Sequence, residues 1–187
     1  MRSRIAPLLI AAMLAIPAVA TAASLASVNL EEKSVVNGQS LVLNGAGLRK
    51  KFFVKVYVGA LYLPAKQANA AAILGADGTR QMVMHFVYSV SKDQMCDAWK
   101  EGLEDNTPNA SAEVKGEFNT LCTMMEAIPK GSSLMLTYVP GKGTTVEVNG
   151  KVKGTLAGKA AADAILSTWI GPKPGPGDDF KSAVLGR

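Results

Sequence analysis

Hydrophobic residues recur in strand-like runs between residues 24 and 64, with loose alternation from Ser24 to Leu30, the pattern of half-buried β-strands. The longest such run extends from Ser40 to Pro64 and is rich in β-branched and aromatic residues. Before it, Asn37-Gly38 stands between apolar flanks, a strong signal for a tight hairpin. We therefore predict a β-meander for this part of the chain.

Five later segments carry apolar residues at helical spacing. Ser91 and Gln94 form a capping box at the start of the second, and Pro129 ends the third. Asp178 is expected to cap the last one. The predicted helices cover approximately residues 68–75, 91–103, 111–128, 157–169 and 178–185.

Strand patterns return between these helices. Arg80 to Val90 has apolar residues on both faces, and a second Asn-Gly pair, Asn149-Gly150, joins two short strands. The elements run as strands, two helices, strands and two helices, without regular β-α-β alternation. This order predicts an α+β fold in which a large, mainly antiparallel sheet is covered by helices on one face. Neither a repeat nor a linker interrupts it, so we expect one domain.

The first 22 residues have the features of a cleaved secretory signal peptide. Arg2 and Arg4 precede an apolar run, residues 5–20, that ends in small residues. The run is short for a membrane span, although an N-terminal anchor is the alternative interpretation. We predict a signal peptide over residues 1–22, a mature domain over residues 23–187, and a periplasmic or secreted location. Removal of the two arginines lowers the formal charge below the +5 of the full chain, which argues against a nucleic-acid partner.

Two cysteines, Cys96 and Cys122, fall in consecutive predicted helices. An even count in an exported protein favours a disulfide, and an antiparallel helix pair brings such positions level. A disulfide is therefore predicted, with two buried thiols as the alternative. His85 is the single histidine and no Cys-x-x-Cys spacing exists, so we expect no metal site of the usual kind and no cofactor.

Two motifs resemble the N-terminal signature of the chalcone isomerase-like family. The first is Asn44-Gly45-Ala46-Gly47-Leu48-Arg49, and the second is Lys55-Val56-Tyr57-Val58-Gly59-Ala60-Leu61-Tyr62-Leu63. Later landmarks at residues 86–99, 129–133 and 165–171 follow in the same order. The resemblance covers roughly residues 25–187 and is greatest to the secreted bacterial branch. It implies an open-faced β-sandwich in which helices pack on a large antiparallel sheet, with a ligand cleft between them.

The resemblance gives little support for catalysis. In the plant chalcone isomerases an arginine after Gly-x-Gly-x stabilises negative charge as the flavanone ring closes, and Arg49 matches it. The threonine, tyrosine and asparagine that act with it fall at Tyr57, Met95 and Gly102. Loss of one oxyanion donor typically lowers a rate by about 100- to 1,000-fold. No catalytic residue is therefore assigned, and chalcone–flavanone isomerase activity is the weaker alternative.

Other members of the family bind fatty acids, with an arginine and a tyrosine clamping the carboxylate. Here Arg49 with Tyr57 or Tyr88 is the corresponding candidate set, and arginine suits a carboxylate in an apolar cleft. In one straight strand Arg49 and Tyr57 would lie about 27 Å apart. We therefore predict a turn between them, at Lys50-Lys51.

The favoured function is an exported, non-enzymatic binder of a fatty acid or similar amphipathic carboxylate. An envelope scaffold or partner-binding protein, whose cleft is filled by its own side chains, is the alternative. In a structural role, Arg49 would pair with Asp97 or Glu101, or would close the glycine-rich turn onto backbone carbonyls. We expect membrane contact only through the signal peptide, and the identity of any protein partner stays open.

Overall fold

Nine strands and five helices form the part of the chain that the computed structural model describes, residues 23–187. The predicted signal peptide, residues 1–22, lies outside the described residues. The strands are β1 (Ala23–Leu25), β2 (Val28–Leu30), β3 (Lys33–Val36), β4 (Gln39–Lys51), β5 (Val54–Leu63), β6 (Arg80–Phe86), β7 (Ser133–Val139), β8 (Gly143–Val148) and β9 (Lys151–Leu156). The helices are α1 (Ala70–Gly75), α2 (Lys92–Asn106), α3 (Ala112–Met124), α4 (Lys159–Ile170) and α5 (Asp178–Val184).

Strands β3 to β9 form one seven-stranded sheet in sequential order, and every neighbouring pair is antiparallel. Strands β1 and β2 form a separate two-stranded ribbon. The connection from β5 to β6 contains α1, and that from β6 to β7 contains α2 and α3. This arrangement confirms the predicted α+β class with a large antiparallel sheet and helices.

The two faces of the sheet carry different cores because side chains alternate along each strand. Tyr57 and Leu61 of β5 belong to the larger core, which the helices complete. Val58 and Tyr62 belong to a smaller core on the other face, where the β1–β2 ribbon contributes Leu30. In residues 23–187, no helix is both long and apolar enough to span a membrane.

Two-residue loops join three neighbouring strand pairs of the large sheet. The two predicted Asn-Gly hairpins are present, with loops at residues 37–38 and 149–150. The third loop is Phe52-Phe53, between Lys51 and Val54, which are paired. The predicted turn at Lys50-Lys51 is therefore wrong by two residues. Both lysines extend β4, because the ladder continues to the end of the hairpin.

The helix boundaries follow the predicted caps, with two exceptions. Helix α3 ends at Met124 and not at Pro129, because Ile128 forms an antiparallel bridge with Val90. The capping box of Ser91 and Gln94 opens α2. The N-cap of α5 is Gly177 and not Asp178, and it makes no side-chain hydrogen bond. Asp178 occupies the first turn instead, where a negative charge favours the helix dipole.

The disulfide joins Cys96 of α2 to Cys122 of α3. Their Cα atoms lie 5.3 Å apart, and the two cysteines are separated by 26 in sequence number. The bond ties together the two helices that cross from β6 to β7, as the antiparallel helix pair predicted.

Candidate functional site

A cavity of about 330 Å³ lies between the large sheet and helices α2 and α4. This volume falls at the lower end of the range for small-molecule sites. Its wall is mainly apolar and aromatic, and includes Val56, Met84, Phe86, Met95, Trp99 and Trp169. Arg49 and Tyr57 contribute polar groups to the same wall. Such a lining suits an apolar ligand that carries a polar group at one end.

Arg49 lies directly opposite Tyr57 in the β4–β5 ladder. Its guanidinium carbon is 6.0 Å from the centroid of the Tyr57 ring. Asp97 and Glu101 of α2 line the cavity, yet the ion pairs among residues 23–187 do not include Arg49. The guanidinium therefore has no carboxylate partner within the described chain. The expected pairing of Arg49 with Asp97 or Glu101 is not observed.

Tyr57 is buried, with 5% of its surface exposed. Trp169 donates a hydrogen bond from Nε1 to the Tyr57 hydroxyl oxygen, at 2.9 Å. The rings of Phe86 and Phe180 pack on it, with centroids 5.4 Å and 5.9 Å away. These contacts fix the phenol while leaving its own O–H available as a donor.

The environment of Tyr57 keeps that proton in place. Burial raises the pKa of the Tyr57 phenol above its ordinary value of 10.0, and the positive charge of Arg49 offsets part of the rise. A neutral phenol is a hydrogen-bond donor, whereas a phenolate only accepts. Arg49 and Tyr57 thus present a positive charge and an O–H group, both suited to a carboxylate.

Tyr88 lines the same cavity but lies beyond the end of β6, with 55% of its surface exposed. Its backbone N–H donates to the carbonyl oxygen of Val56, which holds the residue beside β5. The structure therefore brings all three predicted residues to one cavity. Arg49 and Tyr57 are adjacent in its wall, and Tyr88 stands at its rim.

The two glycines before Arg49, Gly45 and Gly47, matter for their lack of a side chain. Neither Gly45 nor Gly47 has a positive φ, so the backbone freedom of glycine is not what these positions use. A Cβ atom at Gly45 would collide with the carbonyl oxygen of Ala183, and one at Gly47 would lie 2.9 Å from the Phe180 ring. The glycines create the space in which α5 packs on β4.

Asn44 completes this packing. It is 3% exposed, and its Nδ2 donates to the carbonyl oxygens of Val184 and Gln67, at 2.8 Å and 3.1 Å. Its Oδ1 accepts from the backbone N–H of Gln67. In the Asn44 to Arg49 motif, Asn44 and the two glycines therefore hold α5 in place. The Arg49 side chain reaches the cavity.

A second arginine, which sequence reasoning missed, shows the opposite environment. Arg80 is 4% exposed and forms an ion pair with Asp163 of α4. It also donates to the Ile73 carbonyl oxygen, and its guanidinium carbon lies 4.8 Å from the Tyr138 ring centroid. The sequence did contain a signal for this network, because an arginine in a strand that is buried on both faces needs partners for its charge. Arg80 is a structural residue because its guanidinium is satisfied within the chain.

The remaining positions aligned with the plant isomerase site also line the cavity. Met95 is buried there, and Gly102 lies on the same helix. A Cβ atom at Gly102 would lie 2.8 Å from the Cγ2 atom of Thr168, so α4 occupies the space an asparagine side chain would need. Trp99 contributes another cavity-lining residue, and its buried Nε1 has no hydrogen-bond partner among residues 23–187. The described residues contain no cluster of three or more metal-ligating side chains.

The fold and the cavity define an α+β protein whose helices enclose a ligand-sized space against one face of an antiparallel sheet. More particularly, the chain belongs to the chalcone isomerase-like family, because a family model described as "Chalcone isomerase-like" matches residues 22–186. No curated protein matches the sequence significantly.

The fold is similar to that of a fatty-acid binding protein from Arabidopsis thaliana, known from its crystal structure. The TM-score is 0.62, the sequence identity is 17%, and the match covers 83% of this chain and 97% of that chain. At this identity the similarity concerns the fold.

Proposed function

We propose that this protein is a non-enzymatic binder of a fatty acid or similar amphipathic carboxylate. The ligand carboxylate contacts Arg49 and Tyr57, and its alkyl chain occupies the apolar part of the cavity. The observation that carries this proposal is the unpaired guanidinium of Arg49 beside a buried phenol. Arg49 is partly buried, and an anionic ligand in the cavity would give its guanidinium the charge-assisted partner that the described chain does not provide.

The contrast between the two strand arginines supports this assignment. The chain provides Arg80 with a carboxylate, a carbonyl oxygen and an aromatic ring. It provides Arg49 with the ring and hydroxyl of Tyr57 and an open cavity, but with no ion pair among residues 23–187. A carboxylate beside Arg49 would form charge-assisted hydrogen bonds with the guanidinium and accept the O–H of Tyr57.

The chemistry of the wall favours an amphipathic ligand over a small polar anion. Phe86, Met84 and Met95 line the cavity close to the polar pair, and methionine adapts to alkyl chains of different shape. The similar fold of a plant fatty-acid binding protein is consistent with this ligand class. The scaffold alternative requires that the protein's own side chains fill the cleft. The cavity of about 330 Å³ argues against this alternative.

We also propose that the protein is exported and belongs to the secreted bacterial branch of the family. The Cys96–Cys122 disulfide supports an oxidising compartment, and Arg2 and Arg4 before an apolar run support a signal peptide. Mass spectrometry of the protein from its own cells should give an N-terminus near residue 23. A full-length chain with reduced cysteines would contradict export.

The ligand class is tested by displacement of a fluorescent fatty acid from the purified protein. Dodecanoic acid should displace the probe at much lower concentration than dodecanol, which has the same alkyl chain without a carboxylate. Native mass spectrometry should also detect a bound fatty acid in protein that has not been delipidated. Equal displacement by the acid and the alcohol would contradict a carboxylate site.

A further inference from the structure

The loop between β4 and β5 carries the most exposed large apolar side chains of the described chain. Phe52 is 88% exposed and Phe53 is 102% exposed. We call the segment Lys50 to Lys55 the Phe52 tip. Exposed apolar residues that stand together mark an interaction surface more often than isolated ones do.

The backbone at this loop is unfavourable for the residue it contains. The first loop residue has a φ of +49° at Asn37, +55° at Phe52 and +53° at Asn149. Two-residue hairpins prefer Asn-Gly at such positions, and two of the three loops have it. A bulky residue with positive φ is strained. The Phe52 tip therefore carries Phe-Phe at a cost that its folded contacts do not offset, since both rings are exposed.

The tip is also basic. Lys50, Lys51 and Lys55 flank the two phenylalanines, and residues 50–55 include no acidic side chain. None of these lysines takes part in the ion pairs of residues 23–187. Asp97 and Glu101 of α2 line the same cavity as Lys51, so the basic character belongs to the tip and not to the whole cavity rim.

The tip lies at the cavity. Lys51, Phe52 and Val54 line the cavity together with half-exposed Tyr88. A partner surface bound to the Phe52 tip would therefore lie next to the cavity.

We propose that the Phe52 tip docks on a lipid bilayer that contains anionic lipids, a membrane contact beyond the one expected from the signal peptide. The phenyl rings enter the interface between head groups and acyl chains, and the lysines pair with anionic head groups. Aromatic side chains flanked by lysines suit such a bilayer, because its apolar acyl chains lie directly beneath its negatively charged head groups. Docking itself does not depend on the proposed ligand. Its use for passing a fatty acid between bilayer and cavity rests on the proposed function.

Vesicle flotation tests the docking step, with the ligand-free mature domain. Vesicles of phosphatidylcholine and phosphatidylglycerol should bind the protein, and vesicles of phosphatidylcholine alone should bind it more weakly. Phe53→Ser should weaken binding on the order of tenfold, and Lys50→Gln about fivefold. Neither side chain lines the cavity, so fatty-acid affinity in solution should not change.

A matched control comes from another hairpin. Val152 is 66% exposed and stands between Lys151 and Lys153 in sequence, next to the loop at residues 149–150. Val152→Ser should leave vesicle binding unchanged. The double variant Phe52→Asn/Phe53→Gly should raise the Tm, because it relieves backbone strain, and should abolish vesicle binding. A gain in stability with a loss of binding excludes misfolding as the explanation.

Three outcomes would overturn the proposal. The first is equal binding of the wild type and Phe53→Ser to anionic vesicles. The second is a homodimer in sedimentation that Phe53→Ser converts to a monomer, since the tip would then be an interface between copies of the chain. The third is no vesicle binding together with capture of a protein partner that depends on Phe53. Vesicle binding without fatty-acid binding would uphold docking and contradict the proposed function.

Discussion

The guanidinium carbon of Arg49 lies 6.0 Å from the centre of the Tyr57 ring, across a directly paired position of β4 and β5. Cross-strand partners share a face of the sheet, so the hairpin brings both side chains to one cavity wall. Trp169 donates a hydrogen bond from Nε1 to the phenol oxygen, at 2.9 Å. In the proposed function, the pair would meet a carboxylate without a large movement, since its charge and its donor already lie together.

The Tyr57 hydroxyl should contribute directly to affinity. In Tyr57→Phe, the carboxylate loses one charge-assisted hydrogen bond, and fatty-acid binding should weaken by about tenfold or more. Tyr88→Phe is the matched control because Tyr88 lines the same cavity at its exposed rim, and its affinity should stay within about threefold of wild type. Calorimetric titration measures both. An equal loss of affinity in Tyr57→Phe and Tyr88→Phe would mean that the Tyr57 hydroxyl is not the main hydrogen-bond donor to the carboxylate.

Binding should persist in alkaline solution. The pKa of Tyr57 is raised by burial above 10.0, so the phenol loses its proton only at higher pH than an ordinary tyrosine does. A bound carboxylate raises this pKa further, because it disfavours the phenolate. Affinity at pH 11 should therefore fall by clearly less than the roughly tenfold that a phenol of ordinary pKa would lose. A loss of about tenfold at pH 11 that is absent in Tyr57→Phe would show that the phenol titrates normally.

Asp163 should matter for stability and not for ligand binding. Its carboxylate pairs with buried Arg80 and accepts a hydrogen bond from Lys159, at 2.6 Å. Asp163→Asn leaves the Arg80 charge buried without its partner, and should lower the free energy of unfolding by about 3 kcal/mol. Urea denaturation measures the change. Unaltered stability would show that the network is dispensable, and a lost fatty-acid affinity would show that it supports the cavity.

The glycines of β4 should be intolerant of any side chain. Gly45→Ala places a Cβ atom against backbone atoms of α5, and should lower the free energy of unfolding by about 3 kcal/mol. Gly116 lies inside α3 with nothing within 4 Å of its Cβ position. Gly116→Ala should therefore raise stability by about 1 kcal/mol. A neutral effect of Gly45→Ala would indicate that α5 moves away from β4 at little cost.

Local chemistry made much of the fold predictable. The Asn-Gly pairs placed two hairpins, and Ser91 with Gln94 placed the start of α2. Runs of β-branched and aromatic residues placed the long strands, and the order of elements gave the α+β class. Each of these signals acts within a few residues, so neighbouring positions are sufficient to reveal it.

The rest depends on contacts between distant parts of the chain. The space around Gly45 is set by α5, and the Asn44–Val184 hydrogen bond spans 140 positions. The Tyr57–Trp169 hydrogen bond spans 112 positions. No local pattern reveals either one. The turn at Phe52-Phe53 was misplaced for another reason, since two phenylalanines favour a strand by propensity and the sheet overrides that preference.

The preference of the protein for an acid over an alcohol tests the central claim most directly. Wild-type protein should bind dodecanoic acid on the order of a hundredfold more tightly than dodecanol. In Arg49→Met the two affinities should become nearly equal, while Arg187→Met, which removes a charge away from the cavity lining, should retain the preference. An Arg49→Met variant that folds normally and still prefers the acid would contradict the account.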